Sequence, residues 1–233
     1  MKKQYETIDL KPLMMGPNAL RMVKELTAKL NLRPGMRIMD LGCGQGITSL
    51  FLAEEYGVKV CAVDLWIPAT ENYRRFLQWG IDSQVIPIHA DANALPFADG
   101  YFDAVVSVDS YHYFGREAGY LEEKLAPLVK PDGVIALAFP GLKQEMERPS
   151  PAMLLSWDEE AMKTIRSGQW WREHLSKAQN ISVLEVSELA CCDQAWRDWL
   201  ACEENPYAQS DRPAMEAGAG KDMNLLAAVL KRK

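Results

Sequence analysis

The sequence of 233 residues lacks an apolar run long enough to cross a membrane. Its longer uninterrupted apolar stretches, such as 134–139 and 225–230, fall far short of the roughly 20 residues that a bilayer span requires. The polar residues after Met1-Lys2-Lys3 also leave no room for the apolar core of a secretory signal. From these absences we expect no membrane partner and a cytoplasmic location.

Clustered positive charge is scarce too. The chain has 26 Lys and Arg residues against 32 Asp and Glu residues, and the net charge of −6 repels phosphate backbones at long range. The basic run at 231–233 is too short to form a patch that would offset this charge. We therefore expect no nucleic-acid partner.

Cysteines are few and irregularly spaced. The five cysteines form an odd set without Cys-x-x-Cys spacing, which is typical of reduced intracellular thiols rather than of a disulfide framework or a zinc site. We expect no disulfide bonds and no bound metal. Glycine and proline are spread along the chain without a linker-like stretch, so residues 1–233 are expected to form a single domain.

What the sequence does contain is a regular alternation of strand and helix patterns. Such alternation favours an α/β fold in which a parallel sheet is covered on both faces. The apolar periodicity predicts strands at 36–41, 58–63, 84–89, 102–108 and 133–139, and helices at 17–30, 47–56, 69–79 and 121–129.

The pattern changes after residue 140. A broken helix is predicted over 156–178, with a weak point at Ser167-Gly168, and a strand follows at 181–186. The apolar run 223–230 predicts a closing strand, whose pairing direction the residues leave open. Five tryptophans between 157 and 199 indicate core packing in this part of the chain, and a homodimer contact is an alternative use of the same side chains.

The most informative motif is a glycine-rich loop after the first predicted strand, Asp40-Leu41-Gly42-Cys43-Gly44-Gln45-Gly46. Glycine lets the backbone turn sharply and lie in contact with a ligand. In a parallel sheet such a loop lies at the carboxyl edge, where ligands bind. The spacing departs from the dinucleotide fingerprint, because Ile47 stands at its last glycine or alanine position, and no Gly-Lys-Ser/Thr follows for phosphate binding.

Acidic residues also end the next two strands. Asp64 ends the second, where its carboxylate can accept hydrogen bonds from a ribose diol, and the adjoining Leu65 and Trp66 can cover an adenine face. Asp91 and Ala92 follow the third, where the acid can accept from an adenine amino group. Each acid alone would equally suit a surface or capping role, but their occurrence at successive strand ends favours a nucleoside site.

In this order the motifs resemble those of the class I S-adenosylmethionine-dependent methyltransferases, over about residues 17–140. The resemblance implies a Rossmann-like, doubly wound sheet of seven strands, mostly parallel, with 223–230 antiparallel beside the fifth. It also implies S-adenosylmethionine as the cofactor and S-adenosylhomocysteine as the product. The cofactor-binding residues that it implies are Asp40, Gly42, Cys43, Gly44, Gly46, Asp64, Leu65, Trp66, Asp91, Ala92 and Ser107.

The fourth predicted strand runs into an aromatic loop, 107–114. His112 stands where many small-molecule methyltransferases carry a histidine, which makes it the candidate general base; the alternative is that it orders the loop or touches the cofactor. Tyr111 and Tyr113 are candidate acceptor-binding residues. Asp109 would either orient a cationic group or cap the loop.

The acidic balance favours a small-molecule acceptor, methylated at an O, N, S or C atom that the sequence leaves undetermined. By analogy with the family, residues 1–16 would form a lid, and 141–180 and 191–222 would be insertions that cover the site. Two rival interpretations are a non-catalytic S-adenosylmethionine-binding sensor or scaffold and, less favoured, an NAD-dependent oxidoreductase, because Asp64 suits either ribose.

Overall fold

The structure, a computed structural model, describes residues 3–233 and contains one seven-stranded sheet. Five strands, each parallel to its neighbours in this group, lie in the order β3-β2-β1-β4-β5. Strand β7 pairs antiparallel with both β5 and β6. The seven predicted strands and the antiparallel placement of the run at 223–230 are therefore confirmed. The strands are β1 Arg37–Leu41, β2 Lys59–Asp64, β3 Val85–His89, β4 Phe102–Val108, β5 Val129–Leu142, β6 Ile181–Glu188 and β7 Met223–Arg232.

Helices cover both faces of this sheet. Alternate side chains of a strand point to opposite faces, so that Ile38 of β1 joins one core and Met39 joins the other. The first core also takes side chains from α1, α2, α7 and α8, and the second from α4 and α6. The α-helices are α1 Ala19–Thr27, α2 Ile47–Tyr56, α3 Ala69–Gln78, α4 Tyr111–Phe114, α5 Glu159–Met162, α6 Gly168–Leu175, α7 Cys192–Leu200 and α8 Pro206–Glu216.

Two regions differ from the sequence prediction. The α-helix expected at 121–129 is a π-helical turn, Tyr120–Leu125, followed by a short 3-10 turn, Ala126–Leu128. Pro127 lies in the second turn and has no N–H to donate to an α-helical carbonyl, so a regular helix does not continue there. Helix α8 was not predicted at all.

The weak point expected at Ser167-Gly168 is a helix boundary. Ser167 caps α6 by accepting a hydrogen bond from the Trp170 backbone N–H at 3.2 Å. The late tryptophans pack as expected, with Trp171 and Trp199 fully buried. A homodimer contact through this region stays a prediction.

The N-terminal segment crosses the carboxyl edge of the sheet after packing on α2. The ring of Tyr5 contacts that of Phe51, with centroids 5.1 Å apart, and the backbone N–H of Gln4 donates to Glu54 at 2.8 Å. Asn18 then caps α1, accepting from the backbone N–H of Leu20 at 3.1 Å. Of the expected lid, residues 1–2 lie outside the described residues.

No helix within residues 3–233 combines the length and apolar character that a membrane span needs. In the same range, no three His, Cys, Asp or Glu side chains are grouped closely enough to hold a metal ion. The five cysteines are free thiols.

Candidate functional site

A cavity of about 340 Å³ opens at the carboxyl edge of the sheet. Its wall combines the glycine loop, the tips of β2, β3 and β4, and the N-terminal segment 13–17. Of the predicted site residues, Gly42, Cys43, Gly44, Asp64, Leu65, Trp66, Asp91, Ala92 and Tyr113 line it, and Asp40, Gly46, Ser107, Tyr111 and His112 do not.

The two expected insertions do not contribute to the described wall of this cavity, whose lining residues fall between 13 and 117. Segment 191–222 instead braces the N-terminal segment from behind. Asn205 donates to the carbonyl of Met14 at 3.0 Å, and the Asn18 side chain donates to Asp198 at 2.7 Å. Residues 13–17 of the N-terminal segment therefore lie in the cavity wall, with α7 and the start of α8 behind them.

The glycine loop has a backbone that only glycine fits well. Gly42, Gly44 and Gly46 have φ values of 77°, 51° and 87°, in the left-handed region that side chains disfavour. A Cβ atom on Gly42 would overlap the Ser110 hydroxyl, and one on Gly46 would overlap the Phe76 ring. Gly42 and Gly44 thus present bare backbone to the cavity, whereas Gly46 permits packing of α2 against α3.

Asp40 organises this loop from beneath. Its Oδ2 accepts hydrogen bonds from the hydroxyls of Thr48 and Ser49, both at 2.6 Å, while Oδ1 is buried without a partner among the described residues. Burial raises the pKa of the carboxyl to about 6, although the two hydroxyls oppose that rise. Asp40 therefore ties β1 to the first turn of α2, and Thr48 in turn lines the cavity.

Asp64 is held in place by backbone donors. Its Oδ2 accepts from the Gly44 N–H at 2.8 Å, and its Oδ1 accepts from the N–H groups of Trp66 and Ile67 at 2.7 and 2.9 Å. The side chain is only 8% exposed and yet lines the cavity. Because a carboxylate offers about four lone-pair positions and three are used, Asp64 can still accept from one ligand hydroxyl.

Helix α3 secures the outer side of the glycine loop through residues that sequence reasoning missed. The buried Asn72 donates to the Gly44 carbonyl at 2.9 Å, and Arg75 donates to the Gln45 side chain at 3.0 Å. The available signal was a polar residue, Asn72, one helical turn before Phe76 on the apolar face of α3.

The tip of β3 and the residues after β2 form the outer rim. The Asp91 carboxylate is exposed and accepts from the Asn93 N–H at 2.7 Å, while the Tyr120 hydroxyl donates to the Ala92 carbonyl at 3.1 Å. Leu65 and Trp66 are 51% and 65% exposed at the cavity mouth. An exposed aromatic rim beside two carboxylates suits a flat, hydrogen-bonding ring system.

The aromatic segment after β4 divides between the cavity and the core. Tyr113 lines the cavity, and its ring lies 5.8 Å from that of Trp66. Tyr111 lies in the second core against Phe139 and Trp171, because neighbouring residues on a helical turn point in different directions. This burial disfavours the acceptor-binding role predicted for Tyr111.

His112 is 2% exposed and its Nδ1 has no partner among the described residues. Burial, together with Arg116, lowers the pKa of the imidazole to about 3, so the ring is neutral at pH 7 and a weak proton acceptor. Ser107 is also buried and donates to the Leu41 carbonyl at 2.8 Å, which links β4 to β1. Their predicted roles in catalysis and cofactor binding stay predictions.

Comparisons with known proteins agree with this geometry. Residues 38–133 match a family described as the methyltransferase domain. The chain is 26% identical over 171 residues to a glycine/sarcosine/dimethylglycine N-methyltransferase of Actinopolyspora halophila, covering 72% of this chain and 30% of that protein. It is 29% identical over 149 residues to a 27-O-demethylrifamycin SV methyltransferase of Amycolatopsis mediterranei, covering 64% and 52%.

Among solved structures, a geranyl diphosphate methyltransferase in complex with SAM superimposes with a TM-score of 0.73 at 17% identity, covering 92% of this chain and 85% of that one. The chain spans about half or less of the length of the two relatives above. The matched domain contains the glycine loop and the acids at the tips of β2 and β3, and the superposition extends the similarity to the whole sheet. Residues 38–133 are thus similar in sequence to a methyltransferase domain, and the chain shares its fold with a SAM-bound methyltransferase, in agreement with the resemblance to the class I S-adenosylmethionine-dependent methyltransferases.

Proposed function

We propose that this protein binds S-adenosylmethionine and transfers its methyl group to a small molecule. The observation that carries the proposal is Asp64, a carboxylate fixed by three backbone N–H groups in the wall of a cavity beside the bare backbone of Gly42 and Gly44. This arrangement suits a nucleoside with a ribose diol on one side and a close-lying chain on the other.

The residues present fit each part of that cofactor. Asp64 would accept from a ribose hydroxyl, Asp91 would accept from the adenine amino group, and Trp66 would cover the ring. Asp40 would act indirectly, because it holds the hydroxyl of Thr48, which lines the cavity. When bound, the cofactor supplies a methyl group on positively charged sulfur, an already activated donor that needs alignment more than covalent help.

The enclosure supports a small acceptor. The whole cavity of about 340 Å³ must hold the cofactor as well as the acceptor, and residues 13–17 cover it on the side facing β4, so the space that remains suits only a small acceptor. The two relatives named above act, by their names, on nitrogen in glycine derivatives and on oxygen in a rifamycin. Both are small molecules, and the atom methylated in this protein is left open by that pair.

Calorimetry with S-adenosylhomocysteine and NADH, side by side, tests the binding half of the proposal. We expect binding of S-adenosylhomocysteine, weakened at least about tenfold in Asp64→Asn because a charge-assisted acceptor is lost. Asp82→Asn is the matched control, since Asp82 is exposed and precedes β3 at the opposite edge of the sheet. Preferential binding of NADH would favour the oxidoreductase interpretation instead.

Release of S-adenosylhomocysteine from a panel of metabolites tests the catalytic half. Turnover with at least one compound supports a methyltransferase, whereas tight cofactor binding without turnover across the panel favours a sensor or scaffold. We also propose a cytoplasmic location, supported by the five free thiols. A lid role for the N-terminal segment is proposed because Met14 and Met15 line the cavity.

A further inference from the structure

The described residues that line the cavity include acidic side chains and no basic ones. Of its described lining residues, four are acidic and none is Lys, Arg or His. Asp64 and Asp91 lie on the side of β2 and β3, where the proposed cofactor accounts for them. Asp109 and Glu117 lie on the side of β4, and the cofactor sites described above leave both without a role.

Of these two acids, Asp109 is the one that faces the part of the cavity covered by residues 13–17. It follows β4 with a left-handed backbone, φ 56°, fixed by donation of its N–H to the Ala138 carbonyl at 2.7 Å. Its Oδ2 lies against Gly16, where a Cβ would overlap it, so the N-terminal segment closes directly over the carboxylate. Among residues 3–233, no side chain or N–H donates a hydrogen bond to that carboxylate.

A second carboxylate deepens the negative potential behind Asp109. Asp211 of α8 accepts from the indole N–H groups of Trp157 at 2.8 Å and Trp199 at 2.9 Å. These two donors orient Asp211 but bring no positive charge. Burial and the proximity of Asp211 raise the pKa of Asp109 to about 8, so at pH 7 and without a bound ligand Asp109 is mostly the neutral acid, and a cation beside it would favour the carboxylate. Burial raises the pKa of Tyr113 as well, and Asp109 and Asp211 add to that rise.

Such a pocket discriminates by charge. A phosphate or carboxylate placed beside Asp109 would meet acidic groups and no cation, and its negative charge would be disfavoured where water is excluded. A protonated amine would provide the missing hydrogen-bond donors, and its positive charge would favour the carboxylate form of Asp109.

We propose that the acceptor is a small amine, and that Asp109 binds its ammonium group and takes the proton that must leave before methylation. The proposal rests on the proposed function and names the substrate class of that site. The proton passes from the ammonium nitrogen to the Asp109 carboxylate. The freed lone pair then forms the N–C bond to the methyl carbon, and the electron pair of the broken C–S bond stays on sulfur. The product leaves as the methylated ammonium, and Asp109 returns its proton to solvent.

The test compares compounds with one carbon skeleton, namely benzylamine, benzyl alcohol and benzyl phosphate, within a wider panel of matched amine, alcohol and phosphate sets. S-adenosylhomocysteine release is measured with the full chain. We expect kcat/KM for the better amines to exceed that of their alcohols at least tenfold, with no turnover of the phosphates. If alcohols or phosphates are preferred, the proposal is wrong.

Asp109→Asn separates a role in the acceptor site from a role in cofactor binding. We expect kcat/KM for the amine to fall at least a hundredfold, while the Kd for S-adenosylmethionine changes less than twofold, and Asp82→Asn to match the wild type. A weakened cofactor Kd with an unchanged KM for the amine would assign Asp109 to the cofactor and overturn the proposal.

If no compound of the panel is methylated, binding of the same compounds tests the proposal instead. The complex with S-adenosylhomocysteine is titrated with each amine and its phosphate, and we expect saturable binding of amines that Asp109→Asn abolishes. Equal or preferential binding of phosphates overturns the proposal even where the cofactor binds normally. Absence of cofactor binding, in contrast, removes the proposed function itself and is seen first by calorimetry.

Discussion

The tips of β2 and β4 each place an aspartate in the same cavity, but they prepare it differently. Asp64, at the tip of β2, accepts three backbone hydrogen bonds before any ligand arrives. Asp109, after β4, accepts none from the described residues and lies near a second carboxylate, Asp211. One acid already has hydrogen bonds from the backbone, whereas the other leaves them to be supplied by what binds.

This difference matches two kinds of specificity. Backbone donors around Asp64 depend on the path of the loop, so any sequence that keeps the loop keeps the site. The surroundings of Asp109 depend on side chains from distant parts of the chain, Asp211 and the two tryptophans that hold it. A constant partner would thus be bound on the β2 side, and a variable one would be selected on the β4 side.

Gly42→Ala should have the largest effect, because Gly42 is where the two sides meet. The new Cβ would adopt a disfavoured φ of 77° and overlap the Ser110 hydroxyl. We expect a loss of about 2–4 kcal/mol in the free energy of unfolding and loss of detectable cofactor binding. Chemical denaturation measures the free energy of unfolding, and calorimetry measures cofactor binding.

Gly80→Ala is the matched control, since its φ is 65° and a Cβ there meets nothing within 4 Å. It should lose only the backbone contribution, about 1 kcal/mol, and keep its affinity for the cofactor. Equal losses of unfolding free energy in Gly42→Ala and Gly80→Ala would show that the contact between the glycine loop and Ser110 contributes nothing to stability.

Asp109→Asn should change the pH dependence of stability without ligand. The folded-state pKa of about 8 lies above the unfolded value of 3.8, so the folded protein binds the extra proton and stability falls as pH rises through 8. Asp109→Asn has no carboxyl group to titrate at this position, so its stability does not fall in this way. Between pH 6 and pH 9 its free energy of unfolding should gain about 2.5–3 kcal/mol relative to the wild type.

Denaturation curves at several pH values measure this difference, with Asp82→Asn as a control that should stay parallel to the wild type. Parallel curves for Asp109→Asn as well would mean that Asp109 is solvated like an ordinary surface acid. The contrast between the two strand tips would then fail.

Trp66→Ala should have the smallest effect, because Trp66 is 65% exposed and contacts Tyr113 only at the rim. We expect unfolding to change by less than about 0.5 kcal/mol and cofactor affinity to fall about three- to tenfold, from loss of stacking. Tyr73→Ala, an exposed aromatic outside the cavity wall, should leave affinity unchanged. An affinity equal to that of the wild type would remove Trp66 from the site.

The sequence was sufficient for features that depend on neighbouring residues. Strand periodicity with an acid at the strand end placed Asp64 and Asp91 in the cavity wall, and the glycine spacing located the loop between them. It was insufficient where the direction of a side chain within one helical turn decides what that side chain contacts. Tyr111 and Tyr113 are two residues apart, but Tyr111 faces the core and Tyr113 faces the cavity.

It was also insufficient where the partner is distant. Asn72 reaches the glycine loop from α3, and Asp211 acts on Asp109 across 102 positions of sequence, from a helix that periodicity did not reveal. Such contacts exist only once the sheet has assembled, so residue patterns along the chain do not record them. The predicted base, His112, illustrates the same limit, because burial rather than residue type lowers its pKa.

The bracing of the N-terminal segment has a mechanical consequence. Asn18 is bonded to Ala195 and Asp198 of α7, and Met14 to Asn205 just before α8, the helix that bears Asp211. The segment therefore cannot swing away from the cavity without either breaking these tethers or dragging both helices along. If both helices move with the segment, opening the cavity would also move the Asp211 carboxylate away from Asp109. Departure of a methylated cation would then be coupled to the loss of the negative charge that had held it.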